Sequence, residues 1–143
     1  MKTVFVIEDE DVLRNLFYEY FEMTLPDMEI VGSSGNGQQA INECIEKAPD
    51  LAIVDIRLPE VNGLEILQVL KMRLPNTKVL IFSGSVNAKF IKIAVSGGVD
   101  GFVEKSEGMK HIKQAIDTLK EGSKYFSPSI ASEINMLKAS GTL

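Results

Sequence analysis

The sequence predicts an α/β fold: a doubly wound parallel sheet in which five strands alternate with five helices. Short apolar runs rich in β-branched residues recur along the chain, and runs of this length are typical of buried strands. Between them, apolar residues recur at helical spacing, which is the signature of βαβ units. A chain of 143 residues with 45% hydrophobic and 24% charged residues suits one globular domain with one core.

The first half of the chain contains two strand and helix pairs. Residues 4–7 (Val-Phe-Val-Ile) predict the first strand, and large apolar residues over 12–21 follow it at helical spacing. Pro26 stops that helix because proline has no amide hydrogen to donate. Residues 29–32 predict a short second strand, and an apolar stripe over residues 40–48 predicts the second helix.

The same alternation continues in the middle of the chain. Residues 51–54 (Leu-Ala-Ile-Val) predict the third strand, and a helix beginning at Gly63 ends near Pro75. Residues 78–82 (Lys-Val-Leu-Ile-Phe) predict the fourth strand. An apolar stripe over residues 90–95 predicts the fourth helix.

A fifth pair completes the predicted fold. Residues 101–104 form the last strand, and an apolar stripe over residues 112–119 forms the last helix. Short connections between the ten elements favour a flavodoxin-like (βα)5 sheet with strand order 2-1-3-4-5. In that order the strands at residues 4–7 and 51–54 are neighbours.

Four of the predicted strands end in side chains that can carry chemistry. Glu8 and Asp9 follow the first strand, Asp55 the third, Ser83 the fourth and Lys105 the fifth. In open α/β sheets, ligand sites lie outside the carboxyl ends of the strands, so these side chains should meet. Clustered carboxylates repel unless a cation neutralises them, and Mg²⁺ binds one or two carboxylates while keeping waters for a phosphate-bearing partner. Taken singly, the acidic run could simply favour a helix N-terminus.

This constellation resembles the receiver (response-regulator) domain of two-component signalling. The motifs are Ile7-Glu8-Asp9, Val54-Asp55-Ile56-Arg57-Leu58-Pro59, Asn62-Gly63, Phe82-Ser83-Gly84 and Glu104-Lys105-Ser106. The resemblance extends from Thr3 to about Ser127. It divides the chain into a receiver domain at residues 1–127 and a C-terminal linker helix or tail at residues 128–143.

The resemblance implies a role for each strand-end residue. Asp55 is the phosphoacceptor and would form an acyl phosphate, a known form of covalent chemistry. Ser83 and Lys105 would contact the phosphoryl group. Asp9 would bind Mg²⁺ directly, whereas Glu8 would act through a bound water.

Further residues complete the implied site. Asp55 and the backbone carbonyl of Arg57 would be additional Mg²⁺ ligands, and Gly84 would leave room for a phosphodonor or water. Phe102 stands where receivers carry an aromatic switch residue, although a static core aromatic is the simpler interpretation. His111 has no second histidine or cysteine nearby, and we interpret it as a surface residue.

The same resemblance suggests partners. A sensor histidine kinase would donate the phosphoryl group, and a second copy of the chain could be a further partner. Two segments, residues 101–107 and 121–128, look like those of receivers of the NarL/FixJ (LuxR-type) group, in which a C-terminal helix-turn-helix binds DNA. Because the sequence stops at Leu143, two outputs stay open: an effector domain beyond this segment, or a stand-alone receiver that acts through protein contacts.

Composition limits the alternatives. A net charge of −5 argues against nucleic acid as a direct partner of this segment. No apolar stretch approaches the length of a membrane span, and the single cysteine, Cys44, favours the cytoplasm by default.

Two other functional classes fit the residues less well. A flavodoxin-like electron carrier needs a hydroxyl-rich first loop for phosphate, whereas residues 8–11 are all acidic. A haloacid-dehalogenase-type phosphatase needs a second acid two residues after Asp55, where this chain has Arg57. The sequence therefore favours a regulatory phosphoacceptor over an enzyme.

Overall fold

The computed structural model describes residues 1–143 and shows one parallel sheet with helices on both faces. The strands are β1 (Thr3–Ile7), β2 (Glu29–Ser34), β3 (Leu51–Val54), β4 (Lys78–Ser83), β5 (Gly101–Glu104) and β6 (Tyr125–Phe126). The helices are α1 (Asp11–Thr24), α2 (Gly37–Lys47), α3 (Gly63–Arg73), α4 (Ala88–Ser96), α5 (Lys110–Lys120) and α6 (Pro128–Ala139). A 3-10 turn (Lys105–Glu107) follows β5 directly.

The order of the strands brings the predicted site residues to one edge of the sheet. The observed order is β2-β1-β3-β4-β5-β6, and every neighbouring pair is parallel. Ile7 pairs with Val54 at the end of β1 and β3, and Ser83 pairs with Glu104 at the end of β4 and β5. The residues that follow these positions therefore leave the sheet side by side.

The predicted (βα)5 architecture with order 2-1-3-4-5 is too small by one strand and one helix. The sixth strand, β6, lies beyond β5, with Gly101 paired to Tyr125 and Phe102 paired to Phe126. A two-residue strand produces no recognisable apolar run in the sequence, so it was not predicted. The sixth helix, α6, covers most of residues 128–143, the segment predicted to be a linker helix or tail, and its Ile130 is buried in the core.

The core consists of two apolar layers, one on each face of the sheet. Alternate strand residues point to opposite faces, as the pleat requires. The layer beneath α1 and α5 contains Val6 and Phe82, among others. The layer beneath α2, α3, α4 and α6 contains Phe5, Ile81 and Phe102. None of the helices is both long enough and apolar enough to cross a bilayer.

Asparagine caps fix the starts of three helices. The side chain of Asn36 accepts from Gln39 N–H at α2, Asn62 from Leu64 N–H at α3, and Asn87 from Phe90 N–H at α4. An asparagine in this position satisfies an amide that has no partner within the helix. The caps thereby set where the loops after β3 and β4 end.

Gly63, the first residue of α3, holds that helix against the end of β3. A Cβ atom at this position would lie 2.0 Å from the backbone oxygen of Asp55. The amide of Gly63 donates to the Ile56 carbonyl at 2.7 Å. Only glycine permits this approach, so Gly63 fixes the loop that follows Asp55.

Candidate functional site

Three carboxylates meet at the carboxyl edge of the sheet. Glu8, Asp9 and Asp55 each offer an oxygen atom, and these oxygens all lie within 4.8 Å of one another. Glu8 and Asp55 are 2% and 6% exposed, whereas Asp9 is open to solvent. Oxygen donors of this kind fit a hard cation such as Mg²⁺, and the open side at Asp9 leaves room for its waters.

Lys105 lies between the two buried carboxylates. Its Nζ is 2.8 Å from Glu8 Oε1 and 2.9 Å from Asp55 Oδ2. A buried carboxylate is strongly destabilising unless a cation or hydrogen bonds compensate it. Lys105 provides one positive charge for two buried carboxylates, so the cluster with Asp9 keeps a net negative charge.

The surroundings of the cluster shift the proton affinities of two of its members. Burial raises the pKa of Glu8 to about 7, and the charge of Asp55 acts in the same direction. The hydrogen bonds from Lys105 and the Glu10 amide oppose this shift. Burial alone would lower the pKa of Lys105, but its bonds to Glu8 and Asp55 outweigh burial and raise it. Lys105 is therefore held as a cation beside Asp55.

Ser83 and Gly84 lie at the end of β4, beside the strand that leads to Lys105. The hydroxyl of Ser83 is fully buried and accepts from the Ser85 amide at 3.1 Å. Gly84 is exposed, and a Cβ atom there would meet only Lys105 Cδ, at 3.8 Å. The surface at Gly84 is thus open beside the side-chain stem of Lys105, and the access role of Gly84 stays a prediction.

The structure also places the remaining predicted residues. The side chain of Arg57 is exposed, and its carbonyl oxygen accepts no backbone hydrogen bond, so that oxygen is free to bind a ligand. Phe102 is fully buried on β5, in the apolar layer shared with Ile91 and Ile130.

One interpretation from the sequence is wrong. His111 is buried, and its Nδ1 lies 2.6 Å from the hydroxyl of Tyr125 on β6. The signal was present, because His111 precedes Ile112 on the buried stripe of α5. Without β6, however, the sequence offered no partner for the ring.

Two residues near the site were missed. Arg14 on α1 donates from Nη1 to the backbone oxygen of Glu8 and also pairs with Asp11. Ser127, at the start of α6, hydrogen-bonds on both sides of Lys105 along the chain. No local sequence signal identifies either contact, since each depends on how distant segments pack.

Comparison with known proteins agrees with this geometry. The response regulator receiver domain family matches the chain over residues 4–117. The response regulator protein VraR of Staphylococcus aureus is 29% identical over 127 residues, which cover 89% of this chain and 60% of VraR. The chain therefore spans about 60% of the length of the curated relatives it matches.

Solved structures show the same fold. A two-component response regulator of the LuxR family from Aurantimonas sp. SI85-9A1 superposes with a TM-score of 0.88 at 25% identity, covering 96% of this chain and 97% of that one. The isolated REC domain of RcsB from Salmonella enterica serovar Typhimurium has a TM-score of 0.86 at 16% identity, covering 92% and 97%. The latter shows likeness of fold alone.

These findings confirm the resemblance to the NarL/FixJ (LuxR-type) group of phosphoryl-relay signalling proteins. The family match extends over most of the chain and includes every strand end that carries a predicted site residue. The chain therefore belongs to the response regulator receiver domain family.

Proposed function

We propose that the chain is a phosphorylation-dependent switch in which Asp55 accepts a phosphoryl group from a sensor histidine kinase. The observation that carries the proposal is the contact of 2.9 Å between Asp55 Oδ2 and Lys105 Nζ, beside the open carboxylate of Asp9. This arrangement offers a nucleophile, a cation for the incoming phosphate and an oxygen-rich cation site within one edge of the sheet.

The proposed chemistry is a phosphoryl transfer to a carboxylate. An oxygen of Asp55 attacks phosphorus, and an O–P bond forms as the bond from phosphorus to the donor atom breaks. The electron pair of the broken bond leaves with the donor. Lys105 then pairs with a phosphoryl oxygen as a point charge. Ser83 donates its hydroxyl hydrogen to another oxygen, and its oxygen can still accept from the Ser85 amide.

Mg²⁺ is the cofactor in this proposal. Glu8, Asp9, Asp55 and the carbonyl of Arg57 would hold it, with Asp9 in direct contact and Glu8 acting through water. When bound, the ion supplies positive charge that stabilises the phosphoryl oxygens in the transition state. The exposed position of Asp9 and the ion pair of Glu8 with Lys105 support this division of roles.

The test is phosphorylation by a small donor. With Mg²⁺ and acetyl phosphate, intact-mass measurement should show one added phosphoryl group on the wild type and none on Asp55→Asn. Asp27→Asn, which changes an exposed aspartate just before the start of β2, at the opposite edge of the sheet from Asp55, should be labelled as the wild type. Equal labelling of Asp55→Asn would contradict the assignment.

Phe102 is proposed as the switch residue that responds to this chemistry. Its ring lies in the layer beneath α4 and α6, and its partner on β4, Ile81, is two residues before Ser83 on the same face of the strand. In this proposal a movement of Ser83 is transmitted along β4 to the packing of Phe102. Phosphate must then bind one of two packings better than the other. Amide exchange with and without beryllofluoride should change over residues 86–104. A change confined to loops that touch the phosphate would remove Phe102 from the proposal.

The output is proposed to be transcriptional, through a DNA-binding domain that follows residue 143. Two observations support this: the match covers only 60% of VraR, and a similar solved structure is a response regulator of the LuxR family. The alternative is a stand-alone receiver that acts through protein contacts, including a second copy of itself. In either case residues 1–127 are proposed to form the receiver, and residues 128–143 to lead to the output. The proposed location is the cytoplasm. The chain would catalyse only the phosphorylation and dephosphorylation of its own Asp55. A reading frame that continues into a basic helix-turn-helix would favour the first alternative.

A further inference from the structure

Ser127 is the residue that holds both sides of Lys105 along the chain. Its hydroxyl accepts from the Glu104 amide at 3.1 Å and donates to Glu107 Oε1 at 2.6 Å. Its own amide donates to the Phe102 carbonyl at 3.0 Å. Ser127 is 0% exposed, so no water competes for these bonds.

The hydroxyl of Ser127 does not cap α6, although its position at the start of that helix predicts that it should. Ser127 is the N-cap of α6 and precedes Pro128, a position where a serine side chain ordinarily accepts from the second or third helical amide. Here it makes no such bond. The carboxylate of Glu107 takes that place and accepts from the Ser129 amide at 3.3 Å. The start of α6 and the 3-10 turn are thereby joined.

The joined turn is the one that carries the ammonium group of the site. Lys105 is its first residue, and the Gly108 amide closes it by donating to the Lys105 carbonyl at 3.1 Å. A short turn fixes the Cα–Cβ direction of its residues. The position of Lys105 Nζ over Glu8 and Asp55 therefore depends on how the turn is held.

We propose that Ser127 and Glu107 are positioning residues that set the location of Lys105 for phosphoryl binding, by holding its turn to the start of α6. The pair is called the Ser127–Glu107 clamp below. The inference rests on the proposed function, because it concerns how well Lys105 meets a phosphoryl oxygen on Asp55.

The clamp also makes α6 a responsive element. If breaking the clamp changes the affinity of the site for phosphate, thermodynamic linkage requires that phosphate change the docking of α6 by the same factor. α6 packs Ile130 and Ile134 into the layer that contains Phe102. Because the clamp is proposed to strengthen phosphoryl binding, a phosphoryl group on Asp55 should in turn tighten the docking of α6, the helix that leads to residue 143.

The test measures beryllofluoride affinity in the presence of Mg²⁺, for example by ¹⁹F NMR titration, on four variants. Ser127→Ala removes the hydroxyl of the clamp but leaves Glu107 bonded to Ser129, whereas Glu107→Ala removes the bonds to both serines. Ser127→Thr keeps the hydroxyl. Ser132→Ala, which changes an exposed serine on α6 whose hydroxyl makes no hydrogen bond within the protein, is the matched control. We expect the two clamp variants to bind about fivefold more weakly. Ser127→Thr should recover most of that loss, and Ser132→Ala should bind as the wild type.

A second measurement separates positioning from general loss of structure. In a Lys105→Ala background, adding Ser127→Ala should weaken beryllofluoride binding no further, because the clamp acts only through Lys105. The two changes would then be non-additive, as residues of one network are. An undiminished effect of Ser127→Ala without Lys105 would overturn the inference, and so would wild-type affinity in both clamp variants.

Amide exchange completes the test. Beryllofluoride should change protection of the first turn of α6 in the wild type and leave it unchanged in Glu107→Ala. If the wild type itself binds no beryllofluoride, the proposed function fails. If it binds and the clamp variants match it, only the positioning role fails.

Discussion

The bodies of the central strands are surrounded by apolar side chains, whereas their carboxyl ends hold buried polar side chains with hydrogen-bond or ion-pair partners. Along β1, β3 and β4, alternate side chains enter one or the other apolar layer and are almost completely buried. At the ends, Glu8, Asp55 and Ser83 are as deeply buried but polar, and each has a hydrogen-bond or ion-pair partner. The partners come from outside those strands or from the loops that follow them.

The strand bodies determine how stable the fold is, and the strand ends determine what it can bind. The strand bodies gain stability from close packing, so a smaller side chain there leaves a cavity and lowers the free energy of unfolding. Their apolar side chains take no part in ligand binding. The strand ends gain little from packing, and their arrangement depends on one ammonium group and on the loops that hold it. Substitutions in the bodies should therefore lower stability, whereas substitutions at the ends should change ligand binding in a folded protein.

The largest effect is expected in a strand body. Leu80→Ala on β4 removes a fully buried side chain and leaves a cavity, which should lower the free energy of unfolding by about 2–5 kcal/mol. Urea denaturation measures this loss. Met72→Ala on α3, where the side chain is 79% exposed, should stay within about 0.5 kcal/mol of the wild type. Similar losses in both variants would show that the layers do not determine stability.

Gly63→Ala tests the boundary between the body of β3 and its carboxyl end, because Gly63 packs against the backbone of Asp55. The new methyl group would meet the Asp55 backbone oxygen, so the loop must move and the free energy of unfolding should fall by about 1–3 kcal/mol. Phosphorylation by acetyl phosphate should slow as well, because Asp55 moves with its backbone. Gly84→Ala is the stability control, since its methyl group has room. A Gly63→Ala variant as stable as Gly84→Ala would contradict the close approach.

The strand bodies were the part of the fold that sequence could predict. An apolar run such as residues 51–54 has a period and a length that distinguish it from its surroundings, and the polar residue that ends it marks the edge of the sheet. The meeting of Glu8, Asp9 and Asp55 followed from the strand order alone. Local pattern is sufficient where each element is long enough to show one.

Contacts between distant segments were not predictable in the same way. β6 is two residues long, so neither its pairing with β5 nor the burial of His111 against Tyr125 could be inferred. The hydroxyl of Ser127 bonds to the end of β5 and to the 3-10 turn in place of its own helix, against the ordinary preference of an N-cap serine. These features depend on tertiary packing that overrides local preference.

At the strand ends, Glu8 and Asp9 should contribute unequally to the affinity for Mg²⁺. Glu8→Gln should weaken Mg²⁺ binding about tenfold, the lower end for a residue that acts through an outer shell. Asp9→Asn should weaken it more, because Asp9 is the direct ligand in the proposal. Titration calorimetry with MgCl₂ gives both affinities. Glu10→Gln, an exposed neighbour, serves as the control, and a larger loss for Glu8→Gln than for Asp9→Asn would reverse the assigned roles.

The smallest effect is expected at Cys44 on α2, which lies in the apolar layer that also contains Phe5 and Phe102. Burial raises the pKa of its thiol to about 12, so almost no thiolate exists at pH 8 and the native protein should not react with a thiol reagent. Reaction then reports transient opening of the layer. Because a ligand that binds only the folded state stabilises it by mass action, Mg²⁺ with beryllofluoride at the strand ends should slow labelling further. Fast labelling of the native protein, unaffected by these ligands, would show that the layer opens independently of the strand ends.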